Sequence, residues 1–374
     1  LKIILIGPSY PFRGGIANFN DSLYSALEKY HEPHIVSYTL QYPSLFFPGK
    51  SQFEGDPGQT SHAIPLINSI NPFSWKGVAS TILEMEPDCV VVHYWMPFFA
   101  PALGTILRRL RKKGKIFVIG LLHNVEPHEG IPVGRMLNSY FLRSCDGFIT
   151  MSSSVYNDLK ATSVIRPVRK VSHPVYNIFG DQVDRLIACR KLDLDPERKH
   201  LLFFGMIRGY KGLDLLIRVM ANPKLSHLNL KLLVAGEFYE DKEKYTGLVD
   251  ELGLNERIIF TDRFVPQEEV RLYFGAADLV VLPYISATQS GVTQIAYHFD
   301  KPMLVTDVGG LREMVAHRKV GYVCSKNPEE IAASVADFFD NNMAPGFVEN
   351  IKEEKEKFSW EALVAAIEEL NNQK

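Results

Sequence analysis

Short apolar runs alternate with longer amphipathic stretches along nearly the whole chain, and the alternation is regular enough to assign elements. In the first half, Lys2–Ile6, His34–Tyr38, Cys89–His93, Ile116–Leu122 and Gly147–Met151 predict strands. Between them, Ala17–Lys29, Leu103–Lys113, Leu137–Ser144 and Ser152–Leu159 predict helices, the last opened by serines suited to capping. The second half repeats the pattern, with strands at Leu201–Phe204, Lys231–Gly236, Ile258–Phe260, Leu279–Pro283, Met303–Thr306 and Tyr322–Cys324. Helices are predicted at Leu213–Val219, Lys242–Leu252, Gln267–Ala276, Val292–Phe299, Leu311–Val315 and Glu329–Asn341. Such alternation means an α/β fold with parallel sheets covered on both faces.

The pattern breaks between Val171 and Phe179, and the polar stretch Asp181–Lys199 follows. A linker there predicts two domains, 1–178 and 179–357, with 358–374 closing the chain as an amphipathic helix. A length of 374 residues suits two cores. The segment Tyr42–Ile67 predicts a long loop. Its aromatics Phe46, Phe47 and Phe53 suit a membrane surface, an apolar acceptor, or packing within the loop itself.

Composition narrows the function. A formal net charge of −2 argues against non-specific nucleic-acid binding as the main task. No apolar run approaches the ~18–20 residues needed to span a bilayer, and Leu1–Gly7 reads as a first core strand rather than a signal peptide. Cys89, Cys145, Cys189 and Cys324 lack C-x-x-C spacing and suit reduced thiols in the cytoplasm. The run Arg108–Lys115 carries six cations, which read as a solvated helix face or as a peripheral contact with anionic lipid at the inner face of the membrane.

Candidate chemistry gathers where strands end. After Leu201–Phe204 comes the turn Gly205-Met206-Ile207-Arg208-Gly209-Tyr210-Lys211-Gly212, then a helix. Backbone N–H groups and a helix N-terminus attract an anion there, and Arg208 and Lys211 add full charges. The small, hydroxyl-rich stretch Ser286–Gly291 offers a second set of backbone donors. In the first half, Gly14-Gly15 opens a helix without the spacing of a dinucleotide fingerprint. His123-Asn124, with Glu126, His128 and Glu129, lies just past a strand's C-terminal end, where open α/β sheets place ligands.

This ordered series resembles the GT-B glycosyltransferases, and most closely the retaining, nucleotide-sugar-dependent family 4. The carriers are Gly14-Gly15, His123, Gly205…Arg208…Lys211-Gly212, Gly236-Glu237 and Phe264-Val265-Pro266…Tyr273…Ala277-Asp278. Ser286–Gly291, Val308-Gly309-Gly310…Glu313 and Phe358-Ser359-Trp360 complete it. The resemblance implies two doubly wound Rossmann-like domains facing a central cleft, with the C-terminal helix crossing back to the first. It implies that Arg208 and Lys211 hold the donor diphosphate, that Ser290, Gly291 and Val292 donate backbone N–H groups to the same phosphates, and that Gly205 belongs to the donor site. Gly236, Arg263 and Phe264 would line the nucleobase, Gly14 and Gly15 would approach the diphosphate or acceptor, and His123 would lie beside the transferred sugar. No cofactor or metal is implied beyond the nucleotide-diphosphate sugar.

The sequence departs from the family pattern in two places. The E-x7-E glutamates are absent, since nothing between Asp278 and Asp300 is acidic, and the candidate replacements for their hydrogen bonds to donor sugar and ribose are Gln294, or hydroxyls and backbone amides of Thr288 and Ser290. The arginine that follows the glycine in the family is Met206 here, with Arg208 two residues on. The expectation is a hexosyltransferase acting on a hydroxyl acceptor, a glycan or lipid-linked glycan, in surface-polysaccharide or glycolipid assembly. The alternatives are a nucleotide-sugar 2-epimerase and a non-catalytic partner protein.

Overall fold

Seven strands form the sheet of the first unit: β1 (Lys2–Ile6), β2 (Glu32–Leu40), β3 (Ala63–Asn68), β4 (Cys89–Tyr94), β5 (Phe117–Leu122), β6 (Gly147–Thr150) and β7 (Val168–Lys170). Six more form the sheet of the second: β8 (Lys199–Phe204), β9 (Leu230–Ala235), β10 (Ile258–Thr261), β11 (Leu279–Leu282), β12 (Met303–Thr306) and β13 (Gly321–Cys324). Their orders are β3-β2-β1-β4-β5-β6-β7 and β10-β9-β8-β11-β12-β13. Every pairing within both is parallel. The computed structural model describes residues 1–43, 51–54, 62–114, 116–125 and 134–373. Phe46, Phe47, Lys115, Glu126, His128 and Glu129 lie outside them.

The helices of the first half are α1 (Gly15–Glu28), α2 (Trp75–Glu84), α3 (Ala100–Lys113), α4 (Gly134–Leu142) and α5 (Ser153–Lys160). In the second half follow α6 (Arg185–Lys191), α7 (Leu213–Met220), α8 (Glu243–Glu251), α9 (Gln267–Ala276) and α10 (Gly291–His298). The chain ends with α11 (Leu311–Met314), α12 (Pro328–Asp340), α13 (Ala344–Glu354) and α14 (Trp360–Asn371).

The compact units are Leu1–Pro174 with Ser359–Lys374, and Val175–Phe358, so they divide a few residues from the sequence-based boundaries and α14 belongs to the first. Strand β4, Cys89-Val-Val-Val-His-Tyr94, is buried at every position, as a central parallel strand with both faces covered must be. Helix α14 packs on β5, β6, β7 and α1. Its Trp360 lies 5.0 Å from the ring of Phe19, and Glu368 and Glu369 pair with His31 at 2.8 Å and Arg169 at 2.7 Å.

Five elements differ from the sequence-based assignment, two of them, β7 and α13, simply unassigned. The stretch assigned to the loop Tyr42–Ile67 ends in β3, an edge strand whose Pro65 opposes Ser37 and whose register shifts twice. Proline is tolerated there because one side of the edge needs no N–H donor. Helix α2 went unassigned, although it buries Val78, Ala79 and Ile82. Helix α6 lies within the polar stretch and is capped by Asp184, which accepts from the N–H groups of Leu186 and Ile187. The basic run on α3 is also partly committed to its own unit. Arg108 stacks 4.1 Å over Tyr140 and donates to Ser144 Oγ at 3.0 Å, and Arg111 pairs with Asp146 at 2.7 Å.

Phe19 joins α1, α14 and the ends of β4 and β5, and it is fully buried. Phe19→Ala is expected to cost about 3–5 kcal/mol in denaturant unfolding of the full chain. A cost below about 1 kcal/mol would show that the ring does not hold these elements together.

Candidate active site

The strand order of the second sheet reverses between β8 and β11, because β8, β9 and β10 run outward one way and β11, β12 and β13 the other. The crevice beyond the carboxyl ends of two such strands is where open α/β sheets bind ligands. The turn 205–212 follows β8, and the stretch 283–291 follows β11. The most conspicuous charges in the sequence therefore fall at this switch point.

Glycines set the shape of these loops. Gly205 has φ 95° and its N–H donates to Ala235 O at 2.9 Å. A Cβ on Gly236 would lie 2.0 Å from Gly205 O, so the loops after β8 and β9 touch backbone to backbone. Gly212 has φ 68°, and a Cβ there would lie 2.0 Å from Pro283 O. On the same flank Ile285 N–H donates to Tyr210 O at 2.7 Å. Gly309, after β12, has φ 49° and would place a Cβ 1.5 Å from Ala287 O. No side chain fits at Gly212, Gly236 or Gly309 without moving backbone.

Within this frame Lys211 is buried, 7% exposed. Its Nζ lies 5.6 Å from the Tyr284 ring centroid and 3.1 Å from where a Gly205 Cβ would stand. Burial, with the Arg208 cation second, pushes its ammonium down to about 8, and no carboxylate among the described residues offsets this. A buried ammonium without a counter-ion is costly, and an incoming anion removes the cost. Arg208 stands over the Tyr239 ring at 5.1 Å. The turn between the two cations is fixed by Glu240, which accepts from Gly209 N–H at 2.8 Å and is itself held by the Tyr245 hydroxyl.

The remaining expected residues divide. Ser290 caps α10, accepting from Val292 N–H at 3.3 Å, and Tyr284 OH lies 3.2 Å from its Oγ. The Val292 N–H, expected to face phosphate, is the one that Ser290 Oγ accepts. Gly291 opens the helix against Tyr176, 3.3 Å from where its Cβ would be, and Thr288 is half-buried in the preceding loop. Gln294 is fully buried, with its amide nitrogen on Met314 Sδ at 3.3 Å and its Oε1 without a partner. Arg263 follows β10, but its guanidinium forks onto Glu269 of α9, and Phe264 beside it is half-buried. Asp193-Leu194-Asp195 has the D-x-D spacing of metal-binding transferases. It forms the turn ending α6, where Asp195 accepts from Glu197 N–H and pairs with Arg198.

In the first unit the order reverses between β1 and β4, and the loop after β1 leads through Gly14 (φ 115°) into Gly15, the first residue of α1. His123 follows β5, is buried, and has its Nε2 2.9 Å from His93 Nδ1. The sequence reading left His93 and His173 aside. Both pack with His123 around Phe19, at ring separations of 5.8, 5.1 and 5.3 Å respectively. Burial lowers His93 to about 3 and His173 to about 4. His123 is held well below its ordinary value by burial and then by its two neighbours.

Two doubly wound parallel sheets with glycine-shaped loops at their switch points define a two-domain GT-B fold. Comparison with known proteins identifies the family. The signature of the family described as glycosyl transferases group 1 matches residues 184–362, and that of glycosyltransferase family 4 matches residues 13–179. The uncharacterized glycosyltransferase MJ1607 of Methanocaldococcus jannaschii is 32% identical over 96% of this chain and 95% of its own length. A D-inositol 3-phosphate glycosyltransferase of Corynebacterium glutamicum is 28% identical over 49% of this chain and 45% of its own. Among solved structures, sucrose-phosphate synthase of Thermosynechococcus elongatus superposes with a TM-score of 0.77 at 18% identity, covering 100% of this chain and 99% of that one. HepE of Anabaena in complex with UDP-glucose gives 0.74 at 15% identity, covering 99% and 98%. The chain belongs to the family-4 glycosyltransferases.

The Lys211 ammonium sheds its proton more readily in the native protein than in the unfolded chain, where its pKa is 10.5. Between about pH 8 and 10.5 the unfolded chain holds more protons, so ligand-free stability rises with pH across that window. At neutral pH the buried charge costs on the order of 3 kcal/mol. Lys211→Met is therefore expected to raise the ligand-free Tm at pH 7, with the gain shrinking towards pH 10. A lowered Tm at pH 7 would show that the ammonium is already compensated within the protein.

Proposed function

We propose that this protein is a retaining glycosyltransferase that moves a hexose from a nucleoside diphosphate sugar to a hydroxyl of a glycan or lipid-linked acceptor, as in surface-polysaccharide or glycolipid assembly. The observation that carries this reading is the buried, uncompensated Lys211 beside Arg208 at the switch point of the second sheet. Diphosphate is an anion matched to two fixed cations. Leaving-group charge grows as the C1–O bond to phosphate breaks, so the same cations act most strongly in the transition state. Family membership and the UDP-glucose held by HepE, a protein of the same fold, support the donor class. The C. glutamicum relative matches only about half of each chain, which is too little to carry its acceptor across.

Transfer needs one proton moved. As the acceptor oxygen bonds to C1, its hydroxyl proton passes to an oxygen of the departing diphosphate, which receives the electron pair of the broken C1–O bond. No protein nucleophile is required, in keeping with the absence of acidic residues between Asp278 and Asp300. A 2-epimerase would need a protein base of useful strength near neutrality. The three buried imidazoles around Phe19, at about 3 and 4 for His93 and His173 and well below the ordinary value for His123, are poor candidates. The missing glutamates favour one second reading, a non-catalytic partner that binds nucleotide without turnover.

A thermal-shift screen against nucleoside diphosphates and their sugars tests the donor, since a native-state ligand raises stability by RT ln(1 + [L]/Kd). A shift with one nucleotide family, lost in Lys211→Ala, is expected. Once a donor is found, Lys211→Ala and Arg208→Ala should each lower kcat about 100-fold or more. Near-wild-type turnover in both would refute the phosphate site, and binding without turnover across acceptors would establish the partner reading. Donor affinity is also expected to weaken as pH rises above about 8, where free Lys211 becomes neutral.

A further inference from the structure

Three imidazoles meet at the ring of Phe19, and the family resemblance gives only His123 a role, beside the transferred sugar. We propose that His93 is a positioning residue that fixes His123 in its Nδ1–H tautomer, so that His123 meets a sugar hydroxyl as a neutral hydrogen-bond donor and not as a base. The role towards sugar rests on the glycosyltransferase reading; the tautomer does not.

The assignment follows from hydrogen-bond accounting. His93 Nδ1 and His123 Nε2 lie 2.9 Å apart with the rings 16° from parallel, so one nitrogen donates and the other accepts. The other nitrogen of His93, Nε2, is buried and has no hydrogen-bond partner among the described residues. A proton placed there would make an orphaned buried N–H, which is rarer and costlier than an under-used acceptor. The single proton of neutral His93 therefore sits on Nδ1 and is donated to His123 Nε2. With Nε2 accepting, neutral His123 keeps its own proton on Nδ1.

The surroundings enforce this state. A second proton on His123 would go to Nε2 and face the N–H of His93. His173 donates from Nδ1 to Pro174 O at 2.9 Å and is held below its ordinary value by burial, so it brings no charge that would stabilise an imidazolium on His123. Burial acts in the same direction on all three rings. Gly7 admits the His93 ring, because a Cβ at that position would lie 2.9 Å from His93 Cδ2. The acceptor's proton is then left to the departing phosphate, as the transfer reading requires.

Two-bond 1H–15N spectra of the full chain labelled with 15N-histidine test the tautomer directly, with His123→Gln identifying the His123 signals. In the wild type, over a range of about pH 6 to 8.5, Nδ1 of His123 should be pyrrole-type and Nε2 pyridine-type. His93→Phe removes the donor and should shift His123 towards its Nε2–H form. His93→Asn places an amide N–H near the former Nδ1 and should retain the wild-type pattern. A protonated Nε2 in the wild type, or an unchanged His123 spectrum in His93→Phe, overturns the proposal. If His93→Phe does not fold, the wild-type and His93→Asn spectra decide.

The two layers fail separately. Loss of all nucleotide binding in the wild type would refute the transferase reading and leave the tautomer standing. With a donor identified, His93→Phe should lower kcat about 10-fold or more while KM for donor stays within about twofold, and His93→Asn should recover most of the loss. Equal losses in both variants would make His93 merely structural.

Discussion

One buried ammonium without a counter-ion organises the second unit's functional end. Lys211 is covered by protein and approached by a second cation, Arg208, yet no carboxylate among the described residues balances it. Such a group weakens the empty protein and is tolerated when something else depends on it. The backbone around it is correspondingly over-determined. Gly205 meets Gly236, Gly212 meets Pro283, and Gly309 meets Ala287, each at a distance that excludes a side chain on Gly236, Gly212 or Gly309. Glu240 and Tyr245 then hold the N–H of Gly209, between the two cations. The turn is rigid because four strand-end loops support it.

The first unit solves the opposite problem. Its buried histidines, His93, His123 and His173, are all held below their ordinary value by burial around one phenylalanine. The C-terminal helix contributes to that environment through Trp360 against Phe19.

Much of this was legible from the sequence because strict β/α alternation leaves few topologies, and because glycine and basic residues after β8 have a direct physical meaning. What escaped notice did so for identifiable reasons. Strand β3 contains Pro65 and sits at an edge, where burial is one-sided and the apolar signal weak. His93 lies in a fully buried strand and reads there as one more core residue, since its partner is thirty positions away. Gln294 and Arg263 have the right residue types for a polar site, but one turns inward to Met314 and the other to Glu269. The glycine contacts are invisible in sequence because each partner carbonyl belongs to a distant segment.

The account stands on Lys211 taking up its charge when a diphosphate arrives, and titration calorimetry reads that event without requiring an acceptor. The donor nucleoside diphosphate would be titrated at about pH 8.5, just above the value of about 8 for Lys211 in the free protein, in two buffers of different ionisation enthalpy. Binding should draw roughly half a proton or more from the buffer in the wild type. Lys211→Met should bind far more weakly and take up none. Equal heats in both buffers, together with wild-type affinity in Lys211→Met, would contradict the account at its centre.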